Sequence, residues 1–122
     1  MSLRSVLIVE DDADAREILQ VMLELNGMKV SAAGTAREGI ALARQSKPCV
    51  ILLDLMLPDV DGETFRRQQL RDPQVSDIPV IVVSAHPDAR AIAKDMDADC
   101  VRKPVDFKVL LSRVEIACRS TR

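Results

Sequence analysis

A chain of 122 residues can hold one hydrophobic core and is too short for two, so whatever it does must sit on one fold. With 17 Lys plus Arg against 19 Asp plus Glu, a net charge of -2 and 48% apolar residues, the composition excludes an electrostatic nucleic-acid or membrane footprint and also excludes disorder. No apolar run approaches the roughly 18 residues of a membrane span, and the opening MSLRSVLIVE lacks the basic-then-apolar layout of a signal peptide, which predicts a cytosolic protein.

The first predicted element is a strand over 3–9, LRSVLIV, a β-branched apolar run. DADAREILQVMLELNG, residues 12–27, follows as a helix: Ile18, Leu19, Met22, Leu23 and Leu25 fall close to helical spacing and Asn26-Gly27 stops it. MKVSAA reads as a second strand, and TAREGIALARQ as a helix opened by Thr35 and Glu38 in capping-box spacing. CVILL, residues 49–53, is the most continuous apolar strand; after PDVDG, a helix around ETFRRQQLR must end before Pro73. A fourth strand is predicted over 78–84 (IPVIVVS), a short helix over 87–96, and a fifth strand over 100–103 (CVRK). Beyond Pro104, Asp106 can cap a last helix whose Phe107, Leu110, Leu111, Val114, Ala117 and Cys118 share one face.

Five strand-helix pairs with near-continuous apolar strands predict a single α/β domain over 1–122, a doubly wound parallel sheet of order 2-1-3-4-5 covered by helices on both faces. Met1-Ser2-Leu3 is compatible with an added leader on a segment of a longer chain, although no effector domain is expected within these residues. Cys49, Cys100 and Cys118 are an odd number without a CxxC pair, which predicts three reduced, buried thiols rather than a disulfide or a zinc site.

The predicted strands end in charge. The first ends in Glu10-Asp11-Asp12, the third in Asp54, the fourth in Ser84 and the fifth in Lys103. In an open parallel sheet these ends form one edge, and ligands bind there where the strand order reverses. Carboxylates meeting across about 4 to 6 Å raise each other's pKa unless a cation lies between them. Hard oxygen ligands in that number point to Mg²⁺, and Lys103 with the Ser84 hydroxyl supplies a cation and a donor for an adjacent anion. The set suits a phosphoryl group.

The segments LIVEDD, LLDLMLPDVDG, VVSA and KP, in that order at four strand ends, resemble the receiver domain of two-component response regulators over essentially the whole chain. The resemblance implies a flavodoxin-like domain that takes a phosphoryl group from a sensor histidine kinase or phosphotransfer protein onto Asp54, with Mg²⁺, and then controls an output domain or separate target, without touching nucleic acid or membrane itself. It implies further that Asp11 and Asp54 bind the metal directly, Glu10 through a water, and Met56 through its backbone carbonyl. Ser84, beside the Ala85 amide, would bond a phosphoryl oxygen, Lys103 would pair with its charge, and Lys103-Pro104 falls where the family's peptide bond is typically cis. Asp12 lies one place beyond the family's acidic pair and reads as a solvated helix start.

Two departures from that pattern stand out. Ser84 and Lys103 are separated by about three residues fewer than in familiar receivers, so the fourth helix or its preceding loop should be short. Cys100 stands where many receivers carry Tyr or Phe, and His86 lies at the mouth of the site, where a lone histidine usually has no chemical role. Two other classes of function compete: a degenerate receiver that only binds a partner, and a Mg²⁺-dependent aspartyl phosphohydrolase. The latter expects its nucleophile on the first strand and a second acid two residues on, where this chain has Met56.

Overall fold

The structure, a computed structural model, describes residues 4–120. Leu3 of the predicted first strand and the Met1-Ser2-Leu3 leader lie outside the described residues. Strands and helices alternate as β1 (Ser5–Val9), α1 (Ala13–Leu25), β2 (Lys29–Ala33), α2 (Ala36–Ser46), β3 (Val50–Leu53), α3 (Gly62–Leu70), β4 (Val80–Ser84), α4 (Ala89–Asp95), β5 (Asp99–Arg102) and α5 (Phe107–Ser120). The sheet is parallel throughout, in the order β2-β1-β3-β4-β5.

Alternation along the strands divides the core. Val6 and Ile8 of β1, Val50 and Leu52 of β3, and Val101 of β5 pack with Leu19 and Leu23 of α1 and Leu110 and Val114 of α5. Leu7, Val9, Ile51 and Leu53 pack on the opposite face with Ile40 and Ala43 of α2 and Phe65 of α3. Gly39 of α2 permits that contact: a Cβ there would come within 2.9 Å of Val9 and 3.1 Å of Phe65. On α1 the apolar stripe is narrower than its sequence suggests. Leu19 and Leu23, four residues apart, face the sheet, whereas Ile18 and Leu25 lie to either side of them and are 55% and 76% exposed.

Helix starts follow their caps. Asp12 is the N-cap of α1, accepting from the Asp14 amide at 3.0 Å, and Asp106 accepts from the Lys108 amide at 3.0 Å at the start of α5. Thr35 caps α2 through the Glu38 amide at 3.1 Å. The Glu38 carboxylate completes only half of the expected capping box, because it takes the Gly34 amide at 2.9 Å instead of that of Thr35. Asp59, from the loop after β3, accepts the Ala36 and Arg37 amides at 2.9 and 3.0 Å and so ties that loop to α2. The short fourth helix is present: α4 has 7 residues, about two turns.

The cysteine expectation is corrected. Cys49 and Cys118 form a disulfide, with Cα atoms 4.9 Å apart across 69 residues, and only Cys100 is a buried free thiol. The reason is topological: α5 runs antiparallel to the strands, so its last turn arrives at the edge of the sheet where β3 begins. Counting cysteines along the chain cannot reveal that meeting.

A buried polar network, unforeseen in the sequence, fastens α3 to its surroundings. The fully buried Gln69 donates to the carbonyls of Val75 and Ile78 at 2.9 and 2.8 Å and accepts from the Arg66 guanidinium at 2.8 Å. Arg66 in turn donates to the Met96 and Asp97 carbonyls at 3.0 and 3.2 Å, holding the turn between α4 and β5, where Asp97 adopts a left-handed conformation (φ 55°). Burial pulls the Arg66 pKa down and the Asp97 charge partly restores it. Gln69→Leu, which keeps the volume but strands two buried carbonyls, is expected to cost about 2 to 4 kcal/mol in urea unfolding. A loss below about 0.5 kcal/mol, the scale of an ordinary surface substitution, would show that water replaces these bonds.

Candidate functional site

Register brings the charged strand ends together. β1 pairs with β3 so that Val9 lies beside Leu53, and the Asp54 amide continues the ladder to the Val9 carbonyl at 3.0 Å. Ser84 pairs with Arg102, and the Lys103 amide bonds the Ser84 carbonyl at 3.0 Å. Ile8, Leu52 and Val101 all face the α1 and α5 side. Two residues further along each strand stand Glu10, Asp54 and Lys103, carried the same way by the alternation of side chains.

The result is an acidic notch between β1 and β3. Oxygens of Glu10, Asp11 and Asp54 lie within 4.8 Å of one another, with Glu10 3% and Asp54 8% exposed and Asp11 open to solvent. Lys103 Nζ donates to Glu10 Oε1 at 2.7 Å, and Glu10 Oε2 accepts from the Asp12 amide at 3.2 Å. Burial, then the hydrogen bond and charge of Glu10, raise the Asp54 pKa from 3.8 to about 6, against the smaller opposing pull of Lys103 and the Met56 amide. Burial acts to lower the Lys103 pKa, but the Glu10 hydrogen bond and the charges of Glu10, Asp54 and Asp12 outweigh it and raise the value. Three hard carboxylate donors, one of them raised in pKa by burial and by Glu10, fit a small divalent cation, which would relieve the repulsion.

The other predicted residues take distinct places. Ser84 is fully buried, and its Oγ accepts from the His86 amide at 3.1 Å. His86 Nδ1 accepts the Asp88 amide at 3.0 Å, so the ring shapes the start of α4. Ala85 and Met56 are exposed, and Met56 forms an isolated bridge with Asp61. The Lys103-Pro104 peptide is cis. Cys100 packs against Leu55, Val82, Ala89 and Ala93, away from the notch, and burial pushes its thiol pKa up.

Two contributors to the site escaped the sequence reading. Arg16, in the first turns of α1, donates to the carbonyls of Glu10 and Asp11 at 2.7 and 3.4 Å and fixes the acidic loop from behind. Gly62 opens α3 against the Asp54 segment: its amide bonds the Leu55 carbonyl at 2.8 Å, and a Cβ would lie 2.9 Å from Leu55 Cα. The DG after LPDV was the available signal for Gly62; Arg16 is the one basic residue of α1, and nothing in the sequence shows that it reaches back to the loop before the helix.

A parallel sheet with a polar notch where its strand order reverses is the flavodoxin-like arrangement of ligand sites. The chain belongs to the response regulator receiver domain family, which it matches over residues 6–115. It is 42% identical over 118 residues to the KDP operon transcriptional regulatory protein KdpE of Escherichia coli, covering 94% of this chain and 51% of that protein. It is 38% identical over 112 residues to Protein PilH of Pseudomonas aeruginosa, covering 89% and 93%. The receiver domain of the Francisella response regulator 1452 superposes with a TM-score of 0.86 at 27% identity, covering 98% of this chain and 99% of that one. The chain spans about half the length of several curated relatives it matches, among them the transcriptional regulators RpaA and CseB.

The raised Asp54 pKa has a defined sign in stability. Because the folded value lies above the unfolded one, the folded chain holds a proton that the unfolded chain has released, and stability falls as pH rises from about 4 to about 6. Above that window the full cost, at most about 3 kcal/mol, is present. In chelator, Asp54→Asn is therefore expected to be about 1 to 3 kcal/mol more stable than the parent near neutral pH, with the gain fading toward about pH 4. Urea unfolding at both ends of the window checks this; a gain that ignores pH would have another origin than the buried charge.

Proposed function

We propose that this receiver domain accepts a phosphoryl group on Asp54 from the phosphohistidine of a sensor histidine kinase or phosphotransfer protein, in a Mg²⁺-dependent reaction in the cytoplasm, and thereby controls an output domain or separate target. The convergence of Glu10, Asp11 and Asp54 within 4.8 Å beside Lys103 carries the reading. Among the described residues no helix is long and apolar enough to cross a membrane, in keeping with that placement.

In this mechanism an Asp54 carboxylate oxygen attacks phosphorus as the bond to the donor imidazole breaks. With an ordinary range pushed up to about 6, Asp54 is still mostly ionised at neutral pH, and the charge of Lys103 favours that state. Asp11 and Asp54, with Glu10 through a water and the Met56 carbonyl, would hold Mg²⁺, which supplies positive charge to offset the carboxylates and the phosphoryl oxygens. Lys103, now paired with Glu10, turns to the added anion. Ser84 Oγ already accepts the His86 amide, so its own O–H remains to donate to a phosphoryl oxygen. Movement of Ser84 would be passed to α4 through His86, whose ring bonds the Asp88 amide. Cys100 has too little apolar area for its burial to drive such a change, so the Ser84 loop and α4 are the route to the output face.

Incubation with acetyl phosphate and Mg²⁺, read by intact mass, is expected to give a single added phosphoryl group, absent in Asp54→Asn and without Mg²⁺. Uptake by Asp54→Asn at the parent rate would overturn the assignment; no uptake by the parent would favour a degenerate receiver, and sustained phosphate release a hydrolase. Millimolar Mg²⁺ is expected to raise the thermal midpoint by a few degrees, consistent with about 1 kcal/mol from a weakly held ion, and to do so less in Asp11→Ala. An equal shift in both proteins would place the ion elsewhere.

A further inference from the structure

The sheet has a second charged edge, opposite the acidic notch. There the Cys49–Cys118 disulfide forms part of the wall of an open groove of about 720 Å³, whose charged lining is Arg4, Lys29 and Lys47. Both cysteines are partly exposed, and Lys29 and Lys47 are open to solvent. Glu115, paired with Arg4, is the acidic group that faces the cluster from α5. Three cations around a reachable disulfide form an unusual setting on a chain of net charge -2.

The two halves of the bridge are held unequally. Cys49 precedes β3 and its amide is tied to the Ser5 carbonyl at 2.8 Å, so it belongs to the sheet. Cys118 sits in the last turns of α5, beyond the fully buried Leu110 and Val114, where Ala117 is only partly buried and Ile116 is half exposed. Among the described residues burial thus declines toward the end of α5, and the bridge fastens that end to the start of β3.

We propose that Cys49–Cys118 is a thiol–disulfide exchange site, opened by a carboxylate-bearing low-molecular-weight thiol drawn into the basic groove, and that its opening loosens the last turns of α5. A thiolate of the small molecule attacks one sulfur of the bridge; the S–S bond breaks, a mixed disulfide forms, and the departing cysteine thiolate takes up a proton. A second small thiolate attacks the mixed disulfide and frees the other cysteine. Two electrons pass from two small thiols to the bridge, leaving two protein thiols and one small-molecule disulfide. Arg4, Lys29 and Lys47 favour this route by concentrating the anionic reagent.

The test uses the oxidised full chain, with glutathione, 2-mercaptoethanol and cysteamine as anionic, neutral and cationic probes at matched thiolate concentration. Freed thiols are alkylated and assigned to Cys49, Cys118 or Cys100 by peptide mass. At low ionic strength glutathione is expected to open the bridge at least about fivefold faster than cysteamine, and the difference should fall below about twofold in 1 M salt. The same collapse is expected in Lys29→Glu/Lys47→Glu. Hydrogen exchange should show the final turns of α5 exchanging at least about tenfold faster in the reduced chain and in Cys49→Ser/Cys118→Ser, with the sheet unchanged. Three outcomes overturn the proposal: no bridge after oxidation of the folded chain, opening rates indifferent to probe charge, or α5 exchange unchanged on reduction.

Discussion

The register of β1 against β3 is the constraint on which the rest of this molecule depends. Placing Val9 beside Leu53 sets Glu10 against Asp54, two carboxylates that the surrounding apolar sheet keeps from water. A one-residue slip would send one of them to the opposite face and dissolve the notch. Their repulsion has to be answered, and Lys103 answers it in part through its 2.7 Å bond to Glu10, reaching across from β5. Burial and the Glu10 carboxylate still raise the Asp54 pKa, so the notch favours additional positive charge. The electrostatic tension is a consequence of ordinary strand alternation applied to the ends of β1, β3 and β5.

Around this notch the loops are held by polar side chains rather than by apolar burial. Arg16 ties the loop after β1 and Asp59 ties the loop after β3 to α2, while at the opposite edge of the sheet Gln69 and Arg66 hold the segments that lead into β4 and β5. Each of these groups satisfies backbone donors or acceptors that would otherwise lie exposed or orphaned at the ends of secondary structure. The arrangement lets the sheet edge carry charge without becoming slack. α4, by contrast, is short, and its buried Ala89 and Ala93 pack on Leu55, Val82 and Cys100.

α5 links the two edges of the sheet. It begins just after Lys103 and the acidic notch and carries Cys118 in its last turn, at the basic edge. Leu110 and Val114 bury this helix against the sheet, and Ala117 and Cys118 pack on the same core.

Much of this was legible in the sequence. The apolar runs ending at Val9, Leu53 and Ser84, the Thr35 and Asp106 caps, and the short span from Ser84 to Lys103 dictated the order of elements, the parallel sheet and the brevity of α4, because these follow from local spacing and burial. The strand-end charges at Glu10, Asp11, Asp54 and Lys103 were visible as a pattern, since a residue's place at a strand end is a one-dimensional property. Which partner each charge meets was decided only in three dimensions: that Lys103 bonds Glu10, that Arg16 reaches back to the acidic loop, that Ile18 and Leu25 face solvent, and that Arg66 is buried on backbone carbonyls. The disulfide belongs to the same class. Cys49 and Cys118 are 69 residues apart and meet because an antiparallel helix returns to the edge where β3 starts, a distance that composition and parity of cysteines do not encode.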